Sequence, residues 1–296
     1  MESVQVDAKS RAIFVAGSVG IGKTAFLFEA EKYSIARRAF WVQVNSQDSE
    51  GVPYFTIKRL LDKLAWLLSE LDADTKERLR NSLTDNLGGI GKLLTNLVPS
   101  LVNLIGNQPK LPEIGPHQAQ ERFYVSLRKF FAGLSCLQKP IILVIDDFDA
   151  MDIESVKLLR QLMDSEVKGV LFIMAHLDSN SETSQLSKLK RHVQNNTDLE
   201  LDEIYLQPLM KEHIAAIIGN VVNLEAHDDN VAALSEFIFK RSNGGIPLLV
   251  HEIIKNLQQR NLFNLEFTST NENDMGGSFD DFQWRWNPEA VRPVSN

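Results

Sequence analysis

The stretch GSVGIGKT at residues 17–24 decides the fold of this chain. It follows a short apolar run at residues 12–16, which predicts a strand, and leads into AFLFEA at residues 25–30, which predicts a helix. Its spacing matches G-x-x-x-x-G-K-[S/T], the Walker A pattern of a phosphate-binding loop between a strand and a helix. Taken alone, the stretch also fits an ordinary glycine-rich turn with a solvated lysine, so the rest of the chain has to supply the second half of a site.

Each residue type in this loop has a task in phosphate binding. Gly17, Gly20 and Gly22 have no side chain, so the loop can curl with its backbone N–H groups pointing inward. These donors, with the N-terminal end of the following helix, favour a pyrophosphate. Lys23 can reach the β- and γ-phosphates, and the Thr24 hydroxyl can bind Mg²⁺. The predicted nucleotide-binding residues of the loop are Gly17, Ser18, Val19, Gly20, Ile21, Gly22, Lys23 and Thr24.

The second half of the site is predicted in PIILVIDDFDAMD, residues 140–152, as a Walker B motif. A continuous apolar run is typical of a strand buried on both faces, as in a parallel sheet, and this one ends in paired aspartates. We expect Asp146 to hold Mg²⁺ through water and Asp147 to polarise the attacking water as the catalytic residue. A guanine-specific N-K-x-D motif does not follow, so the sequence favours ATP over GTP.

The remaining pattern alternates strands and helices and then becomes helical. Further strands are predicted at residues 39–44, 169–175 and 203–206, with the strand at 203–206 expected to be the final one. Helices are predicted at residues 56–71, 75–84, 87–97, 118–137, 155–164, 211–223, 230–241 and 248–260. Residues 105–116 and 268–281 are predicted loops, and Trp284 and Trp286 alternate as on a half-buried strand. The predicted fold class is α/β: a P-loop NTPase parallel sheet flanked by helices, with a C-terminal helical lid.

This order of elements predicts three parts of the chain. Residues 1–208 form a P-loop ATPase core with a helical insertion at about 53–137, and residues 209–262 form the lid. Residues 263–296 begin a further, truncated segment. Pro208 marks the first boundary, because it follows the expected final strand and precedes a helix.

Composition and charge bound the class of protein. The 296 residues are 44% hydrophobic and 24% charged, which is typical of a soluble globular protein with enough apolar material for a core. The net charge of -8 argues against a general nucleic-acid surface, so no nucleic acid is expected as a partner. One basic stretch, KLKRH at residues 188–192, is interpreted as a solvated helix end or loop.

Neither a disulfide nor a targeting segment is predicted. Cys136 is the only cysteine, which excludes an intrachain disulfide and a cysteine-built metal site and fits a reducing compartment. The acidic start lacks the apolar core of a secretory signal. The longest apolar stretch, residues 93–105, is interrupted by polar residues and is too short to span a bilayer. We therefore expect a cytoplasmic protein without a membrane segment.

Several stretches beyond the two motifs resemble one family. The sequence is similar to the ATPase module of signal-transduction NTPases with numerous domains, the STAND group of the AAA+ class. It resembles above all the module between the kinase-like and sensor parts of large hybrid serine/threonine–histidine kinases. The similar stretches are VPYFTIKRLL (52–61), LVPSLVNLIGNQPKLPEIGPHQAQERF (97–123), IDDFDAMD (145–152), GGIPLLVHEIIKNL (244–257) and FQWRWNPEAVRPVSN (282–296).

The resemblance implies an Orc-like ATPase core and a helical lid. In such a lid Pro247, in a Gly-x-Pro turn, approaches the adenine and ribose; the alternative is an ordinary proline at a helix N-terminus. The implied cofactors are ATP and Mg²⁺. The implied partners are attached signalling domains or homologous subunits, which could donate an arginine in trans.

The sequence also departs from the family pattern. A G-R-E segment before the first strand is missing, and the chain stops where the family module continues, so we expect a fragment. The family's A-Y-R-D-x-E reads AHLDSN at residues 175–180, which puts Leu177 where the family has an arginine that senses the γ-phosphate. His176, mostly neutral at pH 7, replaces that arginine only in part or is simply a polar residue at a strand end. Asp149 and Ala150 stand in place of a Gln-Trp pair.

These observations favour an ATP-dependent switch that hydrolyses ATP slowly, or with a partner's help, and regulates attached signalling domains. One alternative is a module that binds ATP without hydrolysing it and serves as a scaffold. Another is a P-loop kinase acting on a small molecule, which the helical stretch between the motifs and the lid-like C-terminal part disfavour.

Overall fold

The computed structural model describes residues 10–49, 51–110, 112, 115–164, 167–178, 184–195, 199–222, 225, 228–260, 263–267 and 282–286. The predicted loop at 268–281 and the stretch before residue 10 lie outside the described residues. The chain divides into two compact units, residues 1–18 with 23–205 and residues 19–22 with 206–296.

The first unit is built on a five-stranded sheet in the order β2-β3-β4-β1-β5. Its strands are β1 (Arg11–Gly17), β2 (Phe40–Asn45), β3 (Ile141–Asp146), β4 (Val170–Leu177) and β5 (Glu200–Tyr205). Every neighbouring pair in this sheet is parallel. The predicted parallel α/β fold is therefore confirmed, and the carboxyl ends of all five strands lie at one edge of the sheet.

The central strands β3 and β4 have the continuous apolar sequences expected of strands buried on both faces. All six residues of β3 are buried, and β4 is buried except for its last residue, because helices cover both faces. The edge strand β5 instead has three exposed and three half-buried residues, which explains its weaker apolar signal. The strand predicted at 203–206 therefore begins three residues earlier, at Glu200, and ends at Tyr205.

Eight helices accompany the sheet among the described residues of the first unit. They are α1 (Lys23–Ala36), α2 (Phe55–Ser69), α3 (Ala73–Leu87), α4 (Lys92–Leu97), α5 (Val102–Ile105), α6 (Pro116–Gly133), α7 (Ile153–Met163) and α8 (Gln185–Asn195). The prediction of one helix at 87–97 is wrong, because Gly88 and Gly89 have φ angles of 52° and 86° and end α3 before α4 begins. The helix predicted at 118–137 begins earlier, at Pro116, and gives way after Gly133 to a 3₁₀ turn, Leu134–Leu137.

Asp152 joins α7 to the start of α2. Its Oδ1 accepts hydrogen bonds from the backbone N of Ser155 at 2.9 Å and of Tyr54 at 2.8 Å, and its Oδ2 accepts from Thr56 N at 3.2 Å. The side chain is buried and serves N–H groups that the two helix starts leave unpaired. This arrangement holds the helical stretch after β2 against the segment that follows β3.

The second unit has a helical core of its own. Its helices are α9 (Lys211–Val222), α10 (Asp229–Arg241) and α11 (Pro247–Gln259). Buried aliphatic side chains from all three pack together, among them Ile214, Ile238 and Ile254. Two further strands, β6 (Phe263–Phe267) and β7 (Phe282–Trp286), pair antiparallel. The expectation that the strand at 203–206 is the final one is wrong, because β6 and β7 follow it, and the predicted strand pattern at Trp284 and Trp286 falls in β7.

No helix among the residues that the structure describes is both long enough and apolar enough to cross a bilayer.

Candidate functional site

The backbone of the loop between β1 and α1 adopts conformations that only its glycines favour. Gly20 and Gly22 have φ angles of 77° and 99°, a region that side chains disfavour. Lys23 begins α1 and is only 8% exposed. Its Nζ donates to the carbonyl oxygens of Gly17 at 2.9 Å and Ser18 at 3.1 Å. The ammonium group is thereby held inside the curl of the loop.

The tip of this loop belongs to the second compact unit. The backbone N of Leu248 in α11 donates to the Gly20 carbonyl oxygen at 3.1 Å. A Cβ on Gly20 would lie 3.0 Å from Leu248 Cβ and 3.2 Å from Ile246 Cγ2, so this glycine also permits a close approach. Pro247, the first residue of α11, stands between these two neighbours in the sequence.

Thr24 and Asp146 are brought together from the two predicted motifs. Thr24 Oγ1 donates to Asp146 Oδ2 at 2.9 Å, although 122 residues separate them in sequence. Asp146 is the last residue of β3 and is 2% exposed. Burial raises the pKa of this carboxyl, and the Asp147 charge adds to the rise, while the Thr24 hydrogen bond opposes it. A hydroxyl and a carboxylate oxygen are donors that suit Mg²⁺, and a cation there would offset the buried negative charge.

Asp147 is held in the left-handed backbone region, with φ 52°, at the turn out of β3. Its Oδ2 accepts a hydrogen bond from Asn45 Nδ2 at 2.9 Å, and its backbone N donates to Asp146 Oδ1 at 3.1 Å. Asn45 ends β2 and lies opposite Asp146 in the β2–β3 register. The sequence analysis did not single out Asn45; its only signal was a polar residue at the end of a strand.

The end of β4 carries no cationic side chain. Leu177 is 38% exposed, and its backbone N donates to Asp149 Oδ2 at 2.6 Å. His176 is buried beside the Phe14 ring, and its Nδ1–H donates to the Leu177 carbonyl oxygen at 2.7 Å. Burial lowers the pKa of His176, so the imidazole is neutral at pH 7 and does not supply the charge of an arginine.

The basic stretch at residues 188–192 lies in α8, and two of its side chains face acids. Lys190 Nζ lies 3.2 Å from Glu203 Oε1, and His192 contacts the carboxylate of Asp164. Leu189 of the same stretch is buried in the core. The expectation of a solvated helix end or loop is wrong, because residues 188–192 lie in the middle of α8.

Comparison with known families decides the identity of this fold. The model of the AAA ATPase domain family matches residues 3–174. The chain belongs to the AAA ATPase domain family. This AAA ATPase domain is also 28% identical over 153 residues to hybrid signal transduction histidine kinase G of Dictyostelium discoideum. That match covers 52% of this chain and 4% of the kinase.

Solved structures similar to this AAA ATPase domain include two archaeal proteins. One is the ORC2 protein of Aeropyrum pernix in its ADPNP–ADP complexes, with a TM-score of 0.46 and 14% identity. That likeness covers 85% of this chain and 57% of the other. The second is Cdc6p from Pyrobaculum aerophilum, with a TM-score of 0.44, 13% identity, and coverage of 86% and 57%. The chain thus spans little more than half of each of these two proteins.

Proposed function

We propose that this AAA ATPase domain binds ATP with Mg²⁺ and acts as a nucleotide-dependent switch whose hydrolysis is slow or depends on a partner. One observation carries the proposal: the hydrogen bond between Thr24 and Asp146 unites the two halves of a nucleotide site. A phosphate-loop hydroxyl and an acid at the end of a neighbouring strand are the usual magnesium positions of P-loop NTPases.

The phosphate-binding part of the proposal rests on residues 17–24. Backbone N–H groups of this loop, the start of α1 and the Lys23 ammonium favour the negative charge of a triphosphate. Thr24, and Asp146 through water, would hold Mg²⁺, and the bound ion would neutralise negative charge on the β- and γ-phosphate oxygens. We assign Pro247 to the adenine and ribose end. The absence of a guanine motif supports ATP rather than GTP.

Slow hydrolysis follows from two features of the catalytic side. Asp147 is the proposed residue that orients the attacking water, and its carboxylate is already engaged by Asn45. An arginine that stabilises the transferring phosphoryl group contributes about 10³ to 10⁵ in rate, and position 177 holds leucine. A homologous subunit or an attached domain that donated an arginine would raise turnover.

The same proposal assigns a role to each of three parts of the chain. Residues 1–208 are assigned to the ATPase core, residues 209–262 to a helical lid, and residues 263–296 to the beginning of a further segment. The similarity to a signal transduction histidine kinase supports a regulatory role towards signalling domains. The switch would report on bound nucleotide through the lid.

Steady-state ATP hydrolysis by the parent chain and by Leu177→Arg tests this function. We expect the parent to turn over well below once per second and the arginine variant to be faster, because a cation then faces the γ-phosphate. Leu177 is 38% exposed, so the longer side chain can be accommodated without filling the core. Asp147→Asn should abolish what turnover remains.

The outcomes separate the candidate functions. Binding of ATP with no turnover in either protein would favour the scaffold over the switch. Fast turnover by the parent alone, unchanged in Asp147→Asn, would contradict both the Leu177 argument and the role of Asp147. Transfer of phosphate to a small molecule would favour a kinase.

A further inference from the structure

The turn after β3 carries three carboxylates within four residues: Asp146, Asp147 and Asp149. Asp146 and Asp147 already have roles in the proposed function. Asp149 lies in the 3₁₀ turn Phe148–Ala150, and its carboxylate is exposed on the surface of the turn.

The position of Asp149 is set by the end of β4. Its Oδ2 accepts from the backbone N of Leu177 at 2.6 Å. Leu177 lies directly opposite Gly17 in the β1–β4 register, and Gly17 is the first residue of the phosphate loop. The Asp149 carboxylate therefore lies at the carboxyl edge of the sheet, beside the entrance of that loop.

The charge of Asp149 is not balanced by its bonding partner. A backbone amide is neutral, and no ion pair formed within the described residues includes Asp149. Lys190, one of the two lysines of α8, is paired with Glu203. Lys23 is the cation of the phosphate loop, and it faces the carbonyl oxygens of Gly17 and Ser18.

We propose that Asp149 is a specificity-determining residue that disfavours the γ-phosphate and makes this site prefer ADP to ATP. The inference rests on the proposed nucleotide site. In P-loop NTPases the terminal phosphate lies on the side of the magnesium ligands, proposed here to be Thr24 and Asp146, and the Asp149 carboxylate lies at the same edge of the sheet, against the end of β4. A fixed carboxylate on that side repels the extra negative charge of ATP more than it repels ADP.

Calorimetric titrations with MgADP and MgATP test this inference on the full chain. Asp149→Asn removes the charge but keeps an oxygen that can accept from Leu177 N. We expect the ratio of ATP affinity to ADP affinity to rise by about fivefold in this variant, and the effect to shrink at higher salt because ions screen an exposed carboxylate. Asp149→Glu keeps the charge and should retain the preference for ADP.

Glu77→Gln is the matched control, since it removes an equal charge from an exposed position in α3. It should leave the ratio unchanged. An unchanged ratio in Asp149→Asn, or an equal change in both affinities, overturns the role of Asp149 while the nucleotide site stands. If the parent chain binds neither nucleotide, the proposed function fails, and this inference fails with it.

Discussion

At the scale of single residues, Asp146 is a buried acid that lowers the stability of the chain when charged and is proposed to bind Mg²⁺. Its carboxyl is buried at the end of β3 and accepts a hydrogen bond from Thr24. Because burial raises its pKa, the folded chain binds this proton more tightly than the unfolded chain. The contribution to stability is complete below the ordinary aspartate pKa and is lost as the pH rises through the raised value. Once the pH exceeds the raised pKa, the buried carboxylate is charged and destabilises the nucleotide-free chain.

We predict that Asp146→Asn stabilises the nucleotide-free chain at neutral pH and removes its Mg²⁺-dependent nucleotide binding. The amide is neutral and can still form hydrogen bonds with Thr24 and with the backbone N of Asp147. The melting temperature should rise by about 2 °C or more, which corresponds to roughly 1 kcal/mol in a chain of this size. Thermal unfolding at pH 7 without nucleotide measures the shift. A variant that melts below the parent would contradict the assigned cost of the buried charge.

The same scale shows where prediction from sequence stops. The two motifs that contain Lys23, Thr24 and Asp146 were recognised from the sequence because each motif is a short continuous stretch. Asn45 and Asp149 were not predicted to contact Asp147 and Leu177, since 102 and 28 residues separate these partners. Such contacts depend on which strands become neighbours in the sheet, and this order is not encoded in any local pattern.

At the scale of elements, the turn before α11 depends on one glycine. Gly245 has a φ of 94°, and a Cβ built there would lie 1.9 Å from the carbonyl oxygen of Leu209. The backbone N of Leu209 also donates to the Gly245 carbonyl oxygen at 2.8 Å. The segments before α9 and α11 are thus held together backbone to backbone.

We predict that Gly245→Ala destabilises the chain by at least about 2 kcal/mol, because strain at positive φ adds to a backbone clash. Gly244→Ala is the matched control. Gly244 has a φ of 78°, but nothing lies within 4 Å of an added Cβ, so only the backbone strain applies and the loss should be smaller. Urea unfolding of both variants measures the difference, and equal midpoints would contradict the clash.

Elements differed in how far the sequence predicted them. The apolar runs of β1, β3 and β4 were recognised because strands buried on both faces need apolar residues throughout. The helix break at Gly88 was missed because the apolar spacing continues across it, although the Gly88–Gly89 pair is itself a sequence signal of a helix end and both glycines have positive φ. The pairing of β6 with β7 joins segments that flank a long polar stretch, which a local pattern does not predict.

At the scale of the whole molecule, the parallel sheet assembles the candidate site. Its order, β2-β3-β4-β1-β5, places the ends of β1, β3 and β4 beside one another. The phosphate loop begins at the end of β1, the acidic turn begins at the end of β3, and Leu177 ends β4, so the three lie at one edge of the sheet. The family assignment and this convergence support the proposed function, in which residues 17–24 bind the phosphates and Leu177 provides no cation for fast hydrolysis.

Residues 17–24 are proposed to bind a nucleotide, and Lys23 provides the ammonium group of that loop. Calorimetric titration with MgATP should compare the parent, Lys23→Ala and Lys32→Ala. Lys32 is a matched control, because it is an exposed lysine of the same helix that pairs with Glu29. We predict that Lys23→Ala weakens ATP binding at least tenfold, about 1.4 kcal/mol, and that Lys32→Ala binds like the parent. Equal ATP affinity in Lys23→Ala and the parent would contradict the account.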